Sequence, residues 1–236
     1  MLVYQYLHIS PLPENRTMLQ AAVFDMDGLL VDSEPFWQQA QVEIFSSLGV
    51  NITTEDTHQT MGLRIDQVVE YWYAKQPWQE HSISAVTDMV VLRVEELVKE
   101  HKPMLPGVIE AIAACEAAGL KIALASSSPM QLITSTLAAL SLEDKFSAVL
   151  SAETLRYGKP HPEVYINAAD ALGVAPQHCI AFEDSVNGLL AAKAAQMKGI
   201  AVPDAAYAND PRWAIADKKL NSLLEVNTQL LSSLKC

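Results

Sequence analysis

Apolar residues in this chain fall into short blocks that stop at acids or hydroxyls. Gln20–Phe24 (QAAVF) runs into Asp25, Lys121–Ala125 (KIALA) into a row of serines, and Cys179–Phe182 (CIAF) into Glu183 and Asp184. Ala148–Leu150 and Ile200–Val202 are shorter blocks of the same kind. Apolar runs of this length, closed by polar residues, suit buried strands. Between them the pattern turns helical. Val108–Ala118 follows Pro106–Gly107 and stops at Gly119, Met130–Leu140 follows Pro129, Glu163–Leu172 stops at Gly173, and Ser185–Gln196 is rich in Ala and Leu. Proline before a helix and glycine after it are its expected punctuation. Strand and helix in alternation predict an α/β fold, a Rossmann-like parallel sheet flanked by helices. Right-handed crossovers then gather the strand C-termini on one edge, where open α/β sheets bind ligands.

Residues 36–102 break the alternation. They give helix after helix, Pro35–Leu48, Arg64–Ala74 and Ser84–Glu100, interrupted by Gly49, Gly62 and Pro77. No strand pattern lies among them, so this stretch is expected to be a helical cap inserted after the first strand. Pro103 and Pro106–Gly107 mark the return to the sheet. The domain reading is a discontinuous core of residues 20–35 and 103–236, a cap of residues 36–102, and an N-terminal extension of residues 1–19.

Composition narrows the function classes. Half of the 236 residues are hydrophobic and 19% are charged, a balance that supports a buried core. The formal charge of −12, without a long basic stretch, argues against a nucleic-acid partner. It would also repel an anionic substrate at long range, so a site for one needs local positive charge. No apolar run approaches the ~18 residues of a membrane span, and residues 1–17 lack the pattern of a signal peptide. Cys115, Cys179 and Cys236 are scattered, with no zinc spacing. They suit reduced thiols in a cytoplasmic protein. A monomer is expected, because the cap can close the site without a partner.

Four polar elements sit where predicted strands end. Asp25-Met26-Asp27-Gly28 closes the first, with Gly28 allowing a sharp turn. Ser126 closes the second, and its hydroxyl with nearby N–H groups could hold phosphate oxygens. Lys159 stands in a loop restrained by Pro160 and Pro162, where a held ammonium would offset charge between a carboxylate and a phosphate. Glu183-Asp184 follows the fourth block. Two carboxylates there, opposite two more, make a hard oxygen site suited to Mg²⁺. Singly, each has an ordinary reading: an acidic turn, a serine-rich helix start, an exposed lysine, a solvated acidic pair. Jointly, and in chain order at one sheet edge, they supply a nucleophile, an acid, a phosphate cradle, a cation and a metal site.

The same residues carry a resemblance. The segments FDMDGLLVDSEP, ALASSS, GKPHP and FEDSVNG resemble the haloacid-dehalogenase superfamily, in its β-phosphoglucomutase-like subgroup. The cap segment MGLRIDQVVEYWYAKQPW is similar to that of bacterial phosphatases of hexose and hexitol phosphates, 2-deoxyglucose 6-phosphate among them. The resemblance implies that Asp25 attacks phosphorus to give an aspartyl-phosphate and that Asp27 protonates the leaving group, then activates water. It implies Mg²⁺ on Asp25, the Asp27 carbonyl and Asp184, with Glu183 a direct or outer ligand. Ser126, the Ser127 N–H and Lys159 would bind the phosphoryl group. Dehalogenases of this superfamily lack the second aspartate, so Asp27 favours phosphoryl transfer. The rival is a sugar-phosphate mutase; those enzymes carry a histidine where this chain has Trp37. A non-catalytic sugar-phosphate sensor is a third reading, but it has no use for Asp27. Substrate choice would rest with the aromatic cap, with Trp37 and Arg64 the candidate contacts to a small phosphorylated sugar or sugar alcohol.

Overall fold

The computed structural model describes residues 18–60 and 62–234. The reading of residues 1–17, and that of Cys236, lie outside these. The sheet is fully parallel. Its strands are β1 (Ala21–Phe24), β2 (Lys121–Ser126), β3 (Ala148–Ser151), β4 (Cys179–Glu183), β5 (Lys198–Ala201) and β6 (Lys218–Lys219), in the order β3-β2-β1-β4-β5-β6. The chain moves outward from β1 to one side, then returns to the other, so the switch point lies between β1 and β4. Such a point opens a crevice at the strand C-termini.

Burial explains the blocks. All four residues of β1 are buried, as a central parallel strand covered on both faces requires. Phe24 points to one face, stacking on Phe182 with ring centroids 4.7 Å apart. Ala21 and Val23 point to the other, among Tyr165, Ala168 and Ala191. The helices α5 (Val108–Ala117), α6 (Met130–Leu140), α7 (Glu163–Leu172) and α8 (Val186–Ala194) lie where the sequence puts them, within a few residues.

The cap holds α1 (Glu34–Ser47), α2 (Thr54–Thr57), α3 (Ile65–Lys75) and α4 (Ile83–His101). Its core is aromatic, with Phe45 5.9 Å from Trp78 and 6.4 Å from Trp72 between ring centroids. Two connecting segments tie cap to sheet. The Asp32 N–H donates to the Pro103 carbonyl (2.9 Å) and the Leu105 N–H to that of Leu30 (3.0 Å).

Three elements differ from expectation. The fifth strand starts earlier, at Lys198, which pairs with Ile180 of β4, and Asp217 accepts from the Gly199 N–H at 2.8 Å. The two-residue β6 is exposed and lysine-only, and α9 (Thr228–Ser233) is short; neither has an apolar period to announce it. No described helix is long and apolar enough to cross a membrane.

Candidate active site

Register sets the site. Phe24 of β1 is level with Leu124 of β2 and Phe182 of β4. One step on, Asp25 is level with Ala125 and Glu183, and Ser126 and Asp184 follow. The Asp25 N–H continues the ladder to the Phe182 carbonyl at 3.1 Å. The sheet therefore delivers these groups side by side.

Lys159 joins them from the loop before α7. Its Nζ lies 2.9 Å from Asp25 Oδ1, 2.6 Å from Glu183 Oε1 and 3.0 Å from the Ala125 carbonyl, which accounts for all three ammonium protons. Burial opposes the charge of Lys159, but Asp25 and Glu183 outweigh it and hold the ammonium above its ordinary pKa. Burial pushes the Asp25 carboxyl up to about 7, helped by Glu183 and opposed by Lys159. Asp184 is raised well above the usual range, first by burial and then by Asp25 and Glu183. Its position depends on Gly28, whose φ is +70°; a Cβ there would lie 2.1 Å from Asp184 Oδ2.

Three carboxylates thus face one ammonium. Oxygens of Asp25, Glu183 and Asp184 all lie within 4.8 Å of one another, a hard, electron-rich set that fits a divalent cation. Glu183 differs from the other two. Its Oε1 accepts from Lys159 (2.6 Å) and Tyr165 (2.5 Å), and its Oε2 from the Ser185 hydroxyl (3.1 Å) and N–H (3.3 Å).

Asp27, two residues past Asp25, has separate surroundings. Its Oδ1 accepts from the Ser33 hydroxyl (2.6 Å) and the Trp37 indole N–H (3.1 Å), and its Oδ2 from the Ser128 hydroxyl (2.6 Å). The donors come from the residue before α1, from α1 itself and from the loop after β2. Sequence reasoning did not single out Ser33 or Ser128. Ser128 could have been suspected as the third serine of the row after β2, but Ser33 carries no signal beyond its nearness to the DMD motif.

The remaining expected residues divide. Ser126 is buried at the end of β2 and its Oγ accepts from the Ser128 N–H (3.0 Å), while Ser127 is half-buried beside it. Trp37 meets the acid, as above. Arg64 is not brought to this cluster. Its Nε and Nη2 pair with Asp66 (2.8 and 2.6 Å), and its Nη1 donates to the carbonyls of Ala152 (3.1 Å) and Leu155 (2.8 Å). These bonds tie the residue before α3 to the loop after β3, where the Ala152 carbonyl also accepts from the Leu155 N–H (3.2 Å).

A buried carboxylate, a fixed ammonium and an acidic pair thus stand together at the C-terminal edge of the sheet. The family of haloacid dehalogenase-like hydrolases matches residues 22–202. The chain belongs to that family. It is 50% identical over 210 residues to "Hexitol phosphatase B" of Escherichia coli, covering 89% of this chain and 95% of that one. Among solved structures, CbbY from Rhodobacter sphaeroides in complex with phosphate superposes with a TM-score of 0.83 at 26% identity, covering 92% of this chain and 100% of that one. The β-phosphoglucomutase of Clostridium difficile gives a TM-score of 0.79 at 25% identity, covering 92% and 96%.

Proposed function

We propose that this haloacid dehalogenase-like hydrolase is a Mg²⁺-dependent phosphatase of small hexose or hexitol phosphates, working through an aspartyl-phosphate on Asp25. The observation that carries the proposal is the division between two carboxylates two residues apart. Asp25 is buried against Lys159 in the acidic cluster, whereas Asp27 is held apart by Ser33, Trp37 and Ser128. One is placed for nucleophilic attack and the other for proton transfer.

In the first step an Asp25 oxygen bonds to phosphorus and the bond from phosphorus to the sugar oxygen breaks. Asp27 gives its proton to the departing alkoxide, which is otherwise a poor leaving group. In the second step Asp27 takes a proton from water, the resulting hydroxide oxygen bonds to phosphorus, and the bond to Asp25 breaks to release inorganic phosphate. Lys159 opposes the repulsion between Asp25 and the incoming dianion, and Ser126 with the Ser127 N–H cradles the phosphoryl oxygens. Asp25, Asp184 and the Asp27 carbonyl would hold Mg²⁺, which supplies charge neutralisation at the phosphoryl group when bound. Glu183, with both oxygens engaged, braces this set from outside.

The hexitol phosphatase likeness supports the substrate class. Ties from Arg64, just before α3, to the loop after β3 support a cap that closes on its own chain, and hence a monomer. The buried Cys115, its thiol pushed up to about 12 chiefly by burial, suits a reducing cytoplasm.

The test is a panel of hexose and hexitol phosphates assayed for phosphate release with Mg²⁺. Asp25→Asn is expected to abolish release from every substrate. Asp27→Asn is expected to lose roughly 10²–10⁴-fold on a hexitol phosphate and far less in the first turnover of p-nitrophenyl phosphate, whose leaving group needs no proton. Isomerised sugar phosphates in place of free phosphate would overturn the reading.

A further inference from the structure

Tyr165 lies outside every role assigned above, yet its hydroxyl touches the cluster. It stands in the first turn of α7, fully buried, six residues beyond Lys159. A buried phenol needs a partner, and this one donates to Glu183 Oε1 at 2.5 Å, the same oxygen that accepts from Lys159 at 2.6 Å. The ring lies under the ammonium, with Nζ 5.0 Å from its centroid. Burial pushes the phenol well above its ordinary pKa, and Glu183 and Asp25 push the same way, so the hydroxyl remains a donor.

Glu183 is seated in a built socket. Ser185 holds Oε2, and α8 makes room with Gly188, where a Cβ would lie 1.8 Å from Oε1. Oε1 accepts from both Lys159 and Tyr165, so the phenol bonds the very oxygen that the ammonium meets. We propose that Tyr165 is a positioning residue: through Glu183 it aims the Lys159 ammonium at Asp25. A tyrosine that only filled the core would achieve the same packing as phenylalanine. The hydroxyl adds one fixed donor, and directional bonds to a charged group are strong enough to hold a side chain in place.

The proposal rests on the phosphatase reading for its kinetic arm and on geometry alone for its structural arm. Tyr165→Phe keeps the ring and deletes the donor. The expected result is a fall in kcat of roughly ten-fold with KM nearly unchanged, because the lost contact acts on the reacting centre and not on the sugar. The fall should be equal on a hexitol phosphate and on p-nitrophenyl phosphate even in the first turnover, unlike that of an acid variant. Combined with Glu183→Gln, it should add little to the loss that variant already shows, since both act along one path. Multiplying effects, or a Tyr165→Phe enzyme with unchanged kcat and a lower melting temperature, would overturn the proposal. Crystal structures of the wild type and Tyr165→Phe supply a readout that needs no turnover: the Lys159 ammonium is expected to leave Asp25. An ammonium still at its wild-type distance from Asp25 would overturn the proposal even if the wild type hydrolysed nothing, an outcome that separately ends the phosphatase reading.

Discussion

Trp37 shows how much one side chain can carry. Its indole N–H reaches Asp27 Oδ1 at 3.1 Å from the first turn of α1, so a cap residue helps to hold the acid. That contact gives the residue a task beyond packing in the cap. Trp37→Phe retains an aromatic ring while removing the indole donor together with its second ring. Hydrogen bonds to a carboxylate contribute about 1.5–3 kcal/mol, which corresponds to roughly ten-fold or more in rate. The variant is expected to lose about that factor in kcat on a hexitol phosphate, while its rate in the first turnover of p-nitrophenyl phosphate changes little. Single-turnover assays on both substrates decide it; an equal fall on both would reduce Trp37 to packing.

At the scale of elements, the cap is fastened to the core by few polar contacts. Arg64, the residue before α3, binds two carbonyls of the loop after β3 while Asp66 holds its guanidinium flat. Gln131 of α6 donates to Glu95 of α4 at 2.8 Å on the opposite flank. Arg64 therefore acts as a latch between elements. Arg64→Ala should let the cap open more often, by roughly ten-fold if the lost bonds contribute about 1.4 kcal/mol. Hydrogen exchange is the measurement: faster exchange in α3 and in residues 152–158, with the sheet unaffected, is expected. Uniformly faster exchange across the molecule would mean that Arg64 serves global stability instead.

At the scale of the whole molecule, the acidic cluster links stability to pH and metal. The Asp25 carboxyl is raised from 3.8 to about 7 on folding, so it binds protons more readily folded than unfolded. Its contribution is present below about pH 4 and is lost as pH rises through 7. Asp184 is raised too, and acts in the same sense. Without metal, the melting temperature is therefore expected to fall between pH 5 and pH 8. A divalent cation binds the ionised carboxylates, so its effect grows over the same interval. At 100 times its dissociation constant it contributes about 2.7 kcal/mol, or roughly 5–10 °C. Scanning calorimetry with Mg²⁺ and with EDTA at both pH values tests this. An equal metal-induced shift at pH 5 and pH 8 would show that the cluster is not the site.

The sheet was legible because buried parallel strands leave continuous apolar blocks, and each of the β1, β2 and β4 blocks ends in the residue that the site needs. Asp25, Ser126, Lys159 and Glu183–Asp184 could be named from that pattern, since chain order and strand ends fix which edge they share. Partners within the site could not. Ser33, Ser128 and Tyr165 meet Asp27 and Glu183 only through contacts that span 6, 101 and 18 residues of sequence, and a hydroxyl looks the same in a sequence whatever it touches. The partners of Arg64 were hidden for the same reason: its charge is written in the sequence, but the carbonyls of Ala152 and Leu155 that it binds are backbone groups, which every residue has. The sequence by itself determined which chemistry is present and at which edge of the sheet. Tertiary structure decided which oxygen each donor faces, because hydrogen bonds select direction and distance that no periodicity encodes.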